Sequence, residues 1–539
     1  MAESWKDIVE QKRNALKESI PSQWLDANLK DDMIKKGFLN TSDYLDTILP
    51  KNEIAITGKT IMELSLLIGK GQLSAYDVTY AFCHRAMLAH QILNCCSEIF
   101  VKEALMKAKE LDLEFQKNGK TVGILHGIPV SLKDQVDLKG IPSSIGYVSL
   151  ANVKMKENAL LADKLIELGA ILFVKTCVPM AMMAPETESN LYPYTYSAAN
   201  INLSSGGSSG GEGSLIAAGG ARIGFGTDIG GSIRIPATYN GLFAMKPSIG
   251  RVSYLRVSNS YEAQESIPSV IGPLGKTLEE IEFIMKAVVE TKCWLHDPKV
   301  LPIEWKENVK FDKDTIKIGV WRDSGNVEPL PPIKRVLNQV SKLLKGDAKL
   351  EVVEVEWPEH KRLINALMAV FGADAGKEII DECAKSGEPI HELLGYLVDS
   401  DNLKAPLTIN EWWDLCQEVY LIKQKYLKFW DDNQLDAVLA PVMTSPSTKP
   451  HSAVCLEYTG VCNLCDSVGV VLPLGTVDAT IDVLEERPVR SELEAAIRKQ
   501  YIPQDFDKMP VCLQVICRKT EEEKCLAISK MILETVKNT

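Results

Sequence analysis

The chain has 539 residues and a formal net charge of −12; 45% of its residues are hydrophobic and 24% are charged, an ordinary globular balance. Lys and Arg are interleaved with Asp and Glu, so the clustered basic surface that nucleic acid needs is not expected. No run of about 18 uncharged apolar residues occurs, which excludes an obvious membrane-spanning helix.

The first residues, "MAESWKDIVEQKRNALKESIPSQWL", have no apolar signal core. The 13 cysteines lack framework spacing, and in a large chain without a signal they read as reduced, mostly buried thiols. A cytoplasmic protein is the expectation.

Ser4 and Asp7 predict a capping box for a helix over about 5–19, stopped by Pro21. Residues 59–70 and 75–92 also read as helices. In "ALLADKLIELGAILFVKT" the leucines 161, 165 and 168 recur at helical spacing, Gly169 breaks the run, and "ILFV" reads as a buried strand. Further strand candidates are 127–133, 315–321, 350–357, 435–442, 468–473 and 511–518. Thr277 with Glu280, and Thr520 with Glu523, predict two more capping boxes. Residues 296–314 read as an irregular surface excursion. A length prior of about 150 residues per domain suggests three or four domains. Yet strands alternate with helices and no low-complexity linker intervenes, so one large α/β domain with a covered sheet is expected.

Glycine and serine concentrate over "GGSSGGEGSLIAAGGARIGFGTDIGGSIR" (206–234); residues 206–241 hold 12 of the chain's 35 glycines. Such density implies unusual dihedrals or close backbone approach. A flexible linker fits poorly, because the stretch is apolar and low in charge. The Walker pattern is absent, "GKG" at 69–71 failing at its last position, and the dinucleotide pattern fails at Ile229. Ser208 and Ser209 each satisfy G-x-S-x-G, but the preceding "SAANINLSS" is polar where that motif needs an apolar strand, and none of the seven histidines sits in a convincing motif. A buried lysine can replace histidine as base if its environment keeps it neutral. Lys133, ending "HGIPVSLK", is such a lysine; a strand-end lysine with its head in water is the alternative.

"GIPVSLKD", "GGSSGGEGSLIAAGG", "GTDIGGSIRIPA", "QESIPSVIGPLGKT" and "MPVCLQVICRKTEEEKCLA" together resemble the signature blocks of the amidase signature family of serine hydrolases, in the family's order over roughly residues 60–530. The opening, up to "SQWL", is similar to fungal acetamidase-type amidases. The resemblance implies a single α/β domain around a large, twisted, mixed sheet covered by helices, here residues 61–535, preceded by a helical extension at 1–60. It implies a Ser–cis-Ser–Lys triad without a cofactor: Ser232 as nucleophile, Ser208 as bridging serine after a cis peptide, and Lys133 as base. Backbone N–H groups of Ile229, Gly230, Gly231 and Ser232 would hold the oxyanion. Ser209 would hydrogen-bond within the relay, and Asp228 and Arg234 would pair to shape the turn. Met182 aligns with a substrate-lining methionine of fatty acid amide hydrolases, a plain core methionine being the alternative. Two stretches depart from the family pattern: "NLYPYTYSAANINLSS", with Pro193 near a usual glycine, and "AMKPSIG".

The implied activity is hydrolysis of a small-molecule carboxylic amide to the acid and ammonia or an amine. Three alternatives remain: a fatty acid amide hydrolase-like enzyme, the ammonia-releasing chain of an amidotransferase, and a non-catalytic binding protein on the same fold. Family members often dimerise, which leaves a homodimer open. His451, Cys455, Cys462 and Cys465 lie close in sequence with one C-x-x-C pair; buried thiols are the favoured reading over a structural zinc site, so no metal is expected.

Overall fold

The computed structural model describes residues 4–311, 315–398, 405–453 and 455–537. Eleven strands form one mixed sheet. They are β1 (Cys96–Ile99), β2 (Pro129–Lys133), β3 (Ile171–Thr176), β4 (Ile223–Asp228), β5 (Phe243–Lys246), β6 (Val270–Gly275), β7 (Ile316–Trp321), β8 (Leu350–Val355), β9 (Ala437–Pro441), β10 (Val468–Thr476) and β11 (Pro510–Cys517). Their spatial order is β1-β3-β2-β4-β6-β5-β10-β11-β9-β7-β8. Parallel pairing joins β3, β2 and β4 near one end and β9, β7 and β8 at the other; antiparallel pairing runs through the middle.

The central strands read as near-continuous apolar runs because helices cover both faces. One face buries Leu132, Phe225 and Leu513 against helices that include Leu278–Glu290 and Glu522–Lys537. The other buries Phe173, Ile216 and Tyr239 with the helix Ala75–Leu93. A third apolar cluster, around Trp321, Trp430 and Phe371, covers the β7–β9 end. The single α/β domain expected from alternation is the one observed.

Helices begin where short polar side chains satisfy the free N–H groups of the first turn. Ser4 with Asp7, and Thr60 with Glu63, form complete capping boxes for Trp5–Glu18 and Ile61–Gly69. Thr277 caps Leu278–Glu290 and its hydroxyl donates to Glu280 Oε2 at 3.2 Å, but its backbone N–H does not reach that carboxylate, which pairs with Arg222 at 2.8 Å, both groups buried. The Thr520–Glu523 box does not form. Thr520 has φ 63°, its N–H donates to Ser248, and Glu523 is drawn to Arg251. In both places a tertiary ion pair engages the carboxylate that the full capping box would have used.

Residues 4–57 are largely helical and lie on the body rather than apart from it. Trp24, Met33 and Leu45 share a core with Phe173 and Tyr239. Lys12 pairs with Glu98 on β1, and Arg13 donates to the Leu191 carbonyl at 3.0 Å. Residues 296–311 carry no strand and no helix, as expected; 312–314 lie outside the described residues. All 13 cysteines are free, and 11 of them are buried.

Four strands were not among the sequence candidates: β1, β4, β5 and β6. β4 is "IGFGTD", inside the glycine-rich stretch, and its glycines have a physical reason. A Cβ on Gly224 would lie 2.0 Å from Glu212 Oε2. The buried Glu212 carboxylate, on the helix Gly210–Ala217, and Ser131 Oγ, 2.2 Å from that position, take the space a side chain there would need.

Candidate active site

Parallel pairing sets Ser131 and Leu132 of β2 opposite Gly224 and Phe225 of β4. The strand ends are thereby aligned, and Lys133 reaches Thr227. Lys133 is fully buried. Its Nζ lies within hydrogen-bond distance of Ser208 Oγ and of Thr227 Oγ1, both at 2.7 Å. Burial lowers its pKa to about 7, against the opposing pull of Asp228, Asp134 and Glu212. The buried alternative is thus the observed one, and the strand-end lysine with a solvated head is not.

Burial alone does not single out this lysine. Lys175, Lys246 and Lys276 are also held below the ordinary lysine value by burial. Lys175 donates to the Pro142 carbonyl and Ser143, and Lys246 to the Pro247 and Ser467 carbonyls. Of these, Lys133 is the one bonded to a serine of the glycine-rich stretch.

Ser208 follows a cis peptide at Gly207–Ser208. The helix Gly210–Ala217 starts two residues later, so Ser208 sits just ahead of its first turn. Ser209 does not join the Lys133–Ser208 contact. Its Oγ accepts from Thr227 N and donates to Thr227 O, both at 3.3 Å, and its N–H donates to the Ser232 carbonyl at 3.2 Å. It clamps β4 to the serine loop instead of sharing the proton path.

The turn after β4 is organised by Asp228. Its carboxylate accepts from Gly231 N at 2.7 Å, Ile233 N at 3.2 Å, Asn463 Nδ2 at 2.8 Å, and Arg234 Nε and Nη2 at 3.0 and 3.1 Å. Both ions are fully buried. Burial pushes the Asp228 carboxyl up, but the Arg234 charge and these hydrogen bonds hold it at about 2. Arg234 also donates to Gln514 and Asn463. Gly231 has φ 132°, and a Cβ there would meet Thr459 Oγ1 at 2.6 Å, so glycine is required. Thr459 in turn donates to the Gly230 carbonyl at 2.6 Å. The Gly231 N–H, expected to face an oxyanion, is therefore taken by Asp228. Among the described residues the N–H groups of Ile229, Gly230 and Ser232 have no acceptor.

Ser232 opens onto a narrow pocket, whose walls include Gly207, Met182, Ile229, Phe371, Tyr396 and Leu456. Met182 is one of its walls, held at φ 57°. No Asp, Glu, Lys, Arg or His lines this pocket.

Sequence reading missed Gln135, Thr227, Glu212 and Asn463. Gln135 Oε1 accepts from Thr227 Oγ1 at 2.6 Å. Glu212 accepts from Ser131 at 2.6 Å and Thr176 at 2.9 Å, and burial pushes its pKa up to about 8. No sequence pattern singled out Gln135, which lies in the turn after β2 that Val136 N–H closes on the Lys133 carbonyl at 2.9 Å. The cluster His451, Cys455, Cys462 and Cys465 does not converge. His451 pairs with Glu188 at 3.3 Å and Glu392 at 2.6 Å, while Cys462 lies against Gln514. Among the described residues, His90, Cys95 and Cys96 do place their donor atoms within 4.8 Å of one another, remote in sequence from the cysteines singled out above.

The family model described as Amidase matches residues 77–526. The chain belongs to the amidase family. This amidase is 35% identical to the acetamidase of Aspergillus oryzae over 98% of both chains. It is 35% identical to that of Emericella nidulans, covering 99% of this chain and 98% of the other. A solved structure described as a fatty acid amide hydrolase superposes with a TM-score of 0.93 at 33% identity, covering 99% of this chain and 95% of that one. As a member of this family, the protein is a hydrolase acting on amide bonds.

Removing one partner of a buried ion pair leaves an uncompensated charge, at a cost of about 3–5 kcal/mol. Arg234→Ala is expected to lower the free energy of urea unfolding by about that amount. A loss below about 1 kcal/mol, the scale of an exposed pair, would contradict the role given to this pair.

Proposed function

We propose that this amidase cleaves neutral carboxylic amides through an acyl-Ser232 intermediate, with Lys133 as base and Ser208 as the relay between them. The observation that carries the reading is the 2.7 Å contact of a buried, near-neutral Lys133 with Ser208. A serine hydroxyl is a weak nucleophile until its proton is removed. Lys133 draws the Ser208 proton, and Ser208 takes that of Ser232 as its Oγ attacks the substrate carbonyl. Negative charge gathers on the carbonyl oxygen, where the unengaged N–H groups of Ile229, Gly230 and Ser232 are the available donors. The proton returns through Ser208 to the leaving nitrogen, and the C–N bond breaks. Water then attacks the acyl-serine by the same path, giving the acid and restoring Ser232.

The pocket supports a small, uncharged acyl group. The cavity between its walls is only about 20 Å³, and an uncharged lining offers a carboxylate or ammonium no partner. The acetamidases among the relatives agree with this reading. A longer apolar chain is the second reading, favoured by the Met182, Phe371 and Leu456 walls and by the 0.93 TM-score to the fatty acid amide hydrolase. Thirteen free cysteines fit a reducing compartment, and a cytoplasmic enzyme is the corresponding reading. No helix among the described residues is long and apolar enough to cross a membrane.

Ser232→Ala is expected to abolish both turnover and labelling by a fluorophosphonate; labelling that persists would remove Ser232 as nucleophile. A lysine base works only when uncharged, so kcat/KM should rise as pH rises through about 7 and level off above it. A profile flat across that range would count against Lys133. On a panel from acetamide through benzamide to a long-chain amide, the pocket predicts the highest kcat/KM at the short end, and a maximum at the long end would select the second reading.

A further inference from the structure

Lys133 Nζ has two acceptor-capable neighbours, and both are hydroxyls that can also donate. A neutral amine has two N–H groups and one lone pair. If Thr227 turned its O–H toward that lone pair, the Ser208 proton would have nowhere to go. The surroundings of Thr227 settle which way its hydroxyl points. Gln135 Nε2 donates to the Ser258 carbonyl at 2.9 Å and to Tyr254 Oη at 2.8 Å. A backbone carbonyl only accepts, so this end of the Gln135 amide is the NH2 group. Oε1 is then the atom facing Thr227, at 2.6 Å, and it only accepts. The single Thr227 hydrogen is committed to Gln135, so Thr227 Oγ1 accepts from Lys133.

We propose that Gln135, acting through Thr227, is a positioning residue that fixes one N–H of Lys133 and so keeps the amine lone pair for the Ser208 hydroxyl. The device is rigid. Gln135 and Thr227 are buried, Thr227 is gripped through its backbone by Ser209 Oγ, and β4 pairs Thr227 with Ile271 of β6. Neither residue touches the pocket, so their effect is on proton transfer and not on substrate binding. The inference rests on Lys133 being the base.

The test is a double-mutant cycle on a short amide, with the thermal midpoint of each variant checking the fold. Gln135→Leu frees the Thr227 hydroxyl to bond the lone pair. It is expected to lower kcat by at least about 10-fold, within the range of a general base's contribution, with KM within about 2-fold. Thr227→Ser, which keeps the hydroxyl, should retain at least about half of kcat, and Thr227→Val should not. The decisive variant combines Gln135→Leu with Thr227→Val. Because the misdirected hydroxyl is gone, the pair should turn over no more slowly than Thr227→Val alone, a non-additive outcome. Multiplying losses, an unchanged kcat in Gln135→Leu, or an effect confined to KM would each overturn the proposal. Gln135→Met, of similar length, replaces the leucine variant if that one unfolds. Turnover surviving in Lys133→Met would instead remove the reading of Lys133 as base, which separates the two failures.

Discussion

Everything in this site depends on burying one amine without charging it. An ammonium moved into a protein interior loses hydration worth several kcal/mol unless an anion compensates. Asp228, Asp134 and Glu212 all lie close enough to pull Lys133 toward its charged form, yet burial outweighs them. That balance holds because each acid is otherwise engaged. Asp228 is spent on Arg234 and on two backbone N–H groups. Glu212 is itself pushed toward its neutral form and occupied by two hydroxyls. Asp134 accepts from Ser97 and from the Ile145 N–H. The Arg234–Asp228 pair therefore does two things: it shapes the turn that presents Ser232, and it sets a positive charge against a carboxylate that pulls Lys133 toward its charged form.

The fold supplies the geometry through close backbone approach. β2 and β4 run side by side, which sets the Lys133 and Thr227 side chains together at one end of the sheet. The helix beginning at Gly210 packs on β4 with its Glu212 carboxylate so close that Gly224 tolerates no Cβ, and this brings the serine loop within reach of Lys133. The glycine density of 206–241 is thus the mark of two layers in contact, combined with positive φ at Gly206, Gly219, Gly231 and Gly241.

How far the sequence was legible follows from the same physics. Lys133 stood out because a charge at the end of an apolar run is costly. The strands at 171–174, 316–321 and 468–473 stood out because β-branched runs are unambiguous. β4 did not, because "IGFGTD" carries the glycines of its packing rather than the bulk of a typical strand. The Thr520 cap failed because Glu523 found Arg251, a partner no local pattern reveals. The Gly231 N–H was misassigned because its acceptor, Asp228, was read only as a partner for Arg234. Thr227 and Gln135 were passed over since each is ordinary alone; their meaning lies in which way two hydrogens point, and only the tertiary contacts to Ser258 and Tyr254 decide that.

The claim that Lys133 is held near neutrality can be measured without any substrate. In protein carrying 13Cε-labelled lysine, the Lys133 resonance is identified by its absence from the Lys133→Met variant and followed as pH is raised. A midpoint near pH 7 is the expected result. A midpoint near the ordinary lysine value of about 10.4 would contradict it.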